Sequence, residues 1–264
     1  MKKKISVALV MSTYNWPEAL ELIFLSIKNL SEMPDEVLIA DDGSGDATQE
    51  LIRKSAANFP VPLKHIWHED TGWNKTRILN KAIKESTSEY IVQIDGDIIL
   101  HPHFIKDHRN SSEKNMFLSG GRAMLSDIKT REVTISKQVR FGLSSSGISA
   151  RLNAIRMPIF ASIFSNKERS SKNVLGCNFS FWKDDFMKVN GYDNEFFGWG
   201  HEDEELAARF VNNGLYKKNL KYSGVAYHLY HKKQKKDLAE KHWEIIKNTN
   251  NENVTYCKSG INDL

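Results

Sequence analysis

The stretch Tyr90-Ile91-Val92-Gln93-Ile94-Asp95-Gly96-Asp97 decides the fold. A short, mostly apolar run of strand-forming residues ends in two carboxylates separated by a glycine. In a parallel α/β sheet, ligands bind in the crevice beyond the carboxyl ends of the strands. Carboxylates one residue apart at such an end offer oxygen ligands to a hard divalent ion, and such an ion commonly bridges to a substrate phosphate. Asp and Gly are also preferred turn residues, so an ordinary turn is the competing reading of Asp95-Gly96-Asp97.

Upstream of this stretch, strand and helix signals alternate. Ile5–Met11 reads as a buried strand and Pro17–Leu30 as a helix with Pro near its start. Glu36–Ala40 is a second strand, followed by a helix from about Ala47 to Asn58 capped by Asp46. A short strand at Leu63–Trp67 and a helix near Lys75–Lys84 complete the run. This βαβαβ order implies a parallel sheet with right-handed crossovers. Three polar clusters then fall at three strand ends: Thr13-Tyr14-Asn15, Asp41-Asp42-Gly43-Ser44 and Asp95-Gly96-Asp97.

A chain of 264 residues that is 40% hydrophobic holds one large core, or one core with a small appended lobe, and is not a disordered chain. No apolar stretch approaches the roughly 20 residues that span a bilayer, and Ile5–Met11 after Lys2-Lys3-Lys4 is read as a strand rather than a signal segment. Cytoplasmic residence is the default expectation. Cys177 and Cys257 lack metal-ligand spacing and fit a reduced compartment, although one disulfide is open to them.

Charge is uneven. From Lys217 to Lys247 there are nine lysines against three acids, an excess that suits a leaving diphosphate, an acidic membrane face or a nucleic acid, or else forms a solvated helix face. The segment Gly147–Phe164 mixes apolar residues with Arg151 and Arg156 around Pro158. It reads either as an amphipathic helix at an acceptor site or membrane surface, or as a kinked packing helix.

Taken together, "VMSTYNWPEALELIFLSI", "IADDGSGDAT", "HEDTGWNKTRILNKAI" and "YIVQIDGDIILHP" resemble family-two glycosyltransferases of the GT-A fold. The stretch "GCNFSFWKDDFMKVNGYDNEFFGWGHEDEELAARFVNNG" resembles a segment shared by β-1,4-galactosyltransferases and bacterial capsule or lipopolysaccharide transferases. The resemblance implies an α/β, Rossmann-like, mostly parallel sheet flanked by helices. Residues 1–116 would form a nucleotide-sugar-binding half, 117–231 an acceptor-binding and catalytic half of the same domain, and 232–264 a basic C-terminal extension.

The same resemblance assigns roles. Tyr14 and Asp42 are expected at the uracil of a UDP-sugar, with Thr13, Asn15 and Asp41 nearby; an aromatic ring stacks on a base and a carboxylate accepts its imide N–H. Arg77 matches the arginine of an Ala-Arg-Asn element, although Thr76 stands where alanine is usual, and its fork is expected to hold a phosphate or the strand-end carboxylates. A surface salt bridge is its plainer use. Asp97 is the expected metal ligand and Asp95 a ribose or metal-water contact. His228 and His231 offer a further ligand, the choice between them being open, and imidazole with carboxylate favours Mn²⁺ over Mg²⁺.

In Gly198-Trp199-Gly200-His201-Glu202-Asp203, Trp199 and Gly200 are expected to receive the acceptor sugar. Asp203 would be the general base and Glu202 would position the acceptor. Four acids at 202–205 also suit a helix N-terminus, and the two readings are compatible. The whole points to an inverting UDP-sugar hexosyltransferase acting on a glycan or lipid-linked glycan in bacterial surface polysaccharide or lipopolysaccharide synthesis, with peripheral contact to an anionic membrane and no nucleic-acid partner. A noncatalytic nucleotide-sugar or glycan binding module is the alternative from another class. A sugar nucleotidyltransferase shares the core, but the chain has no Gly-rich loop with a basic residue after its first strand.

Overall fold

The computed structural model describes residues 4–142, 144–198, 200–232 and 238–264. Strands β1 (Val7–Thr13), β2 (Glu36–Asp41), β3 (Leu63–Trp67) and β4 (Tyr90–Asp95) run parallel in the order β3-β2-β1-β4. They alternate with helices α1 (Pro17–Lys28), α2 (Asp46–Ala56) and α3 (Lys75–Glu85). Val7–Val10, Val37–Ala40 and Tyr90–Val92 are buried, because helices cover both faces of this sheet; β1, β2 and β4 therefore read as nearly continuous apolar runs, whereas β3 at the edge is only partly buried. Asp46 proves to be the first helical residue of α2, with Gly45 at the cap, so the expected Asp46 cap is corrected.

Register brings the polar strand ends together. Ser12 lies opposite Asp95 and Thr13 opposite Asp41, so β1 is flanked on both sides by acidic strand termini. The strand order reverses between β2 and β4 at β1, which is where such sheets open a crevice.

After β5 (Ile98–Leu100) and α4 (Phe104–Ser111), the chain adds β6 (Met116–Gly120), β7 (Ala123–Leu125), α5 (Asp127–Ser136) and β8 (Ile148–Ser149). Next come α6 (Pro158–Phe164), β9 (Lys167–Glu168), β10 (Phe179–Trp182), α7 (Lys183–Lys188), α8 (Glu202–Asn212) and β11 (Tyr216–Leu220), and last β12 (Ala226–His228) and α9 (Ala239–Asn251). β10 pairs antiparallel with β4 and continues the main sheet as β10-β6-β11-β9. The two halves therefore share one sheet.

A smaller sheet, β5-β12-β7-β8, pairs His228 with Ile98 and sends the Leu229 N–H to the Asp97 carbonyl at 2.9 Å. This pairing carries the chain near residue 228 to the end of β4.

The segment 147–164 is neither one amphipathic helix nor one kinked helix. It divides into β8, a 3₁₀ turn at Arg151–Ala154, and α6, which begins at Pro158 instead of bending there. Proline fixes φ and lacks an N–H, which suits a first helical position. Beyond residue 238, α9 packs along α8, and Ile261 enters the core beside α3. Both cysteines are free and buried.

Candidate active site

Two histidines and one carboxylate meet at the end of β4. The Nε2 atoms of His228 and His231 lie 3.2 and 3.1 Å from Asp97 Oδ2, and the Asp97 Oδ1 atom is buried without a hydrogen-bond partner. His228 Nδ1 donates to the Leu229 carbonyl at 2.6 Å and His231 Nδ1 to the Lys232 carbonyl at 2.9 Å. A carbonyl can only accept, so in the neutral ring the Nε2 lone pair of each histidine faces a carboxylate. A cation between those atoms would turn that repulsion into coordination. The donor set, two imidazoles and a carboxylate with an orphaned oxygen, fits a divalent transition-metal ion. Hydrogen bonding to Asp97 raises the His231 pKa, whereas burial lowers that of His228.

Asp95 takes a different position from Asp97. Its Oδ1 receives Lys75 Nζ at 2.9 Å and the Ser12 hydroxyl at 3.3 Å. Gly96 permits this separation: a Cβ there would stand 2.5 Å from the Ser12 carbonyl oxygen. Lys75 also reaches Glu202 Oε1 at 3.1 Å, so one buried ammonium joins the end of β4 to the start of α8. Burial opposes that charge, yet Asp95 and Glu202 hold it well above the ordinary lysine range.

Asp203, the second residue of α8, is buried. The Tyr192 hydroxyl donates to its Oδ1 at 2.7 Å, Gln93 Nε2 donates to the same oxygen at 3.2 Å, and the Gly176 N–H donates to Oδ2 at 2.9 Å. A Cβ at residue 176 would lie 2.4 Å from the carboxylate, so glycine there lets the backbone approach it. Burial pushes the Asp203 pKa up to about 7; Lys75 pulls it down, while Glu202 and Asp95 push it further up. A carboxylate poised near neutrality suits proton abstraction. Glu202 Oε2 accepts the Gly200 N–H at 3.1 Å.

At the β1 and β2 ends, Tyr14 presents a ring that is 50% exposed, and its hydroxyl donates to Asp70 at 2.9 Å. Asp42 accepts the Asn74 N–H at 2.9 Å and pairs with His68 at 2.7 Å, while burial raises its pKa. Asn15 stitches these ends together: its N–H donates to Ser44 Oγ, and its Oδ1 accepts from the Gly45 N–H, both at 2.9 Å. Thr13 is buried and its hydroxyl has no partner.

Packing redraws two of the expected positions. Asp41 is fully buried, with one oxygen accepting the Ser44 N–H and the other meeting His65, both at 2.8 Å; it shapes the turn and does not line the cleft. Arg77 is exposed, and Lys75 is the residue that meets the strand-end carboxylates. The helix starts at Lys75, and residues two apart lie on different faces. Trp199 lies outside the described residues, as do Lys233, Lys235 and Lys236 of the basic run.

Sequence reasoning missed Lys75, Gln93, Tyr192 and Arg122. The last donates to Cys177 Sγ at 2.9 Å and lies within electrostatic reach of Asp95 and Asp97. Gln93 carried a signal: an amide in the middle of a buried strand needs a polar partner.

The sequence profile described as Glycosyl transferase family 2 matches residues 8–189, and one described as N-terminal domain of galactosyltransferase matches residues 157–232. Chondroitin synthase of Escherichia coli is 22% identical over 248 residues, which cover 84% of this chain and 34% of that protein. The chain thus spans about a third of that relative. Among solved structures, the mannosyltransferase PcManGT from Pyrobaculum calidifontis in complex with GDP-Man and Mn²⁺ superposes with a TM-score of 0.58 at 17% identity, covering 86% of this chain and 57% of that one. S. aureus TarS 1-349 gives 0.61 at 13% identity, with 98% and 68% covered. The architecture is that of the GT-A fold.

Proposed function

The chain belongs to Glycosyl transferase family 2, and from that premise we propose that it is an inverting transferase moving a hexose from a UDP-sugar to a glycan hydroxyl in bacterial surface polysaccharide or lipopolysaccharide synthesis. The observation that carries this reading is Lys75, which ties Asp95 beside the three-ligand cluster to Glu202 beside Asp203. One ammonium thereby meets a carboxylate of the proposed diphosphate side and one of the proposed acceptor side.

In this reading Tyr14 stacks on uracil and Asp42 accepts its imide N–H. Asp97, His228 and His231 hold Mn²⁺, which when bound neutralises charge on the departing diphosphate. Arg122, close to both strand-end aspartates, adds a fixed positive fork for the same phosphates. Gly200 and the Trp199 region receive the acceptor, with Glu202 held in place by Lys75 and the Gly200 N–H. Asp203 takes the acceptor hydroxyl proton as the oxygen attacks the anomeric carbon, and the glycosidic bond to UDP breaks on the opposite face. Tyr192 and Gln93 fix the base's orientation. Ile159 and Ile163, 82% and 69% exposed on α6 with Phe160 and Phe164 beside them, offer an apolar face for a lipid-linked acceptor at a membrane surface.

Mn²⁺-dependent release of UDP from UDP-galactose, UDP-glucose and their N-acetylamino counterparts, with glycan acceptors present, tests the proposal. Absence of both UDP binding and UDP release, or preference for a GDP-sugar, would overturn it.

A further inference from the structure

A second concavity adjoins the proposed acceptor side. It measures about 620 Å³ and lies between the segment 169–172, the first turn of α8 and the outer face of α9. That volume falls in the range typical of ligand sites. Its lining includes Arg169, Lys172, Glu204, Trp243 and Lys247. Glu204 follows Asp203 directly in α8, so this concavity and the base share one helical turn.

Two features distinguish it from a generic surface groove. Trp243 is 49% exposed, with its ring centroid 4.9 Å from that of His201, the residue that precedes α8. The charges are also unbalanced. Glu204 is already committed, since its Oε2 pairs with His201 Nδ1 and its Oε1 accepts the Asn173 N–H, both at 2.6 Å. Among the described residues no carboxylate lies in ion-pair range of Arg169, Lys172 or Lys247, and these three cations outnumber the remaining lining carboxylate, Glu244. Arg169 is steadied instead over the Tyr216 ring at 5.6 Å.

We propose that this concavity binds a carboxylate-bearing sugar of the acceptor glycan, one or more residues away from the hydroxyl that is glycosylated. Trp243 packs against the apolar face of the pyranose, and Lys247, Lys172 and Arg169 receive its carboxylate. The assignment rests on the transferase reading for its placement and adds the class of acceptor, an acidic glycan.

The probe is a tetrasaccharide of alternating glucuronic acid and N-acetylglucosamine, titrated calorimetrically into the full chain beside the same tetrasaccharide with its carboxyls reduced to alcohols. The acidic form should bind at least about tenfold more tightly, the order expected for a charge-assisted contact. Trp243→Ala and Lys247→Glu should each remove about that factor, and both side chains are exposed enough for the fold to survive. Equal affinity for the two tetrasaccharides, or an acidic preference that survives both variants, overturns the assignment. UDP binding with Mn²⁺, measured on the same samples, keeps the two readings apart. Its loss with acidic-glycan binding intact overturns the transferase reading alone, and its presence without acidic preference overturns this one alone.

Discussion

Replacing Lys75 with methionine should move the acid limb of the transfer reaction to higher pH. Asp203 must be ionised to accept a proton, and burial places its pKa at about 7. For one titrating group at that value, the ionised fraction, and with it the rate, rises roughly tenfold between about pH 6 and pH 8. An aspartate at its ordinary value would give a flat profile over that range. Lys75 lowers the Asp203 pKa, while Glu202 and Asp95 raise it. An adjacent opposite charge is worth about 1–3 pKa units; Lys75 contacts Glu202 and Asp95 rather than Asp203, so a shift of about one unit is expected. The midpoint then moves to about pH 8 and the rate at pH 7 falls roughly fivefold. Glu202→Gln should move it the other way. The assay is kcat/KM for the acceptor at saturating donor and metal, followed by UDP release from about pH 5.5 to 9, with UDP affinity measured at each pH. A flat wild-type profile, or a downward shift in Lys75→Met, would show that Asp203 is not the titrating base. Stability should respond to the same titration. The folded-state pKa is raised, so between about pH 4 and 7 the native carboxyl keeps a proton that the unfolded chain has lost, and stability falls as pH rises through that window. Above it the cost is roughly 4 kcal/mol. Asp203→Asn should lack this decline in thermal scans.

Further outcomes follow from the same geometry. Asp203→Asn should lower turnover by about 10²–10⁴-fold while UDP affinity stays within twofold, the typical contribution of a positioned base; near-normal transfer would remove the base assignment. Asp97→Ala, and His228→Ala beside it, should abolish calorimetric Mn²⁺ binding, whereas retention of wild-type affinity in both would show that the cluster does not hold the ion. Arg209, fully buried with Glu205 and the carbonyls of Val189 and Gly191 as partners, should cost about 3–5 kcal/mol when changed to methionine, read as a loss in urea midpoint. Gly96→Ala should weaken Mn²⁺ and UDP binding together, because a Cβ there meets the Ser12 carbonyl oxygen and pushes β1 from β4; unchanged binding of both would show that the close approach is dispensable.

Much of the parallel half of the sheet was legible in the chain. Apolar runs of strand length alternating with helix-period segments set the parallel sheet, and β3 and β4 begin where the pattern places them. A strand end is a local property, so Asp95-Gly96-Asp97 could be placed at one without knowing its neighbours. The chain was least informative where partners are remote. Asp41 and Asp42 look equivalent in sequence, but only the tertiary packing of His65 and Ser44 closes off the first. Arg77 fits the familiar pattern better than Lys75, yet the starting point of α3 turns Lys75 toward the cleft.

Strand and helix periodicity and turn chemistry act over a few residues, so the α/β class, the order of elements and the acidic residues at strand ends were present in the chain before any packing was known. That both His228 and His231 face Asp97 depends on long-range packing, since β12 pairs with β5 across more than a hundred residues. The same holds for the raised pKa of Asp203, which depends on burial among Gln93, Tyr192, Gly176 and the Lys75 charge, groups distant in the chain and adjacent only in the fold.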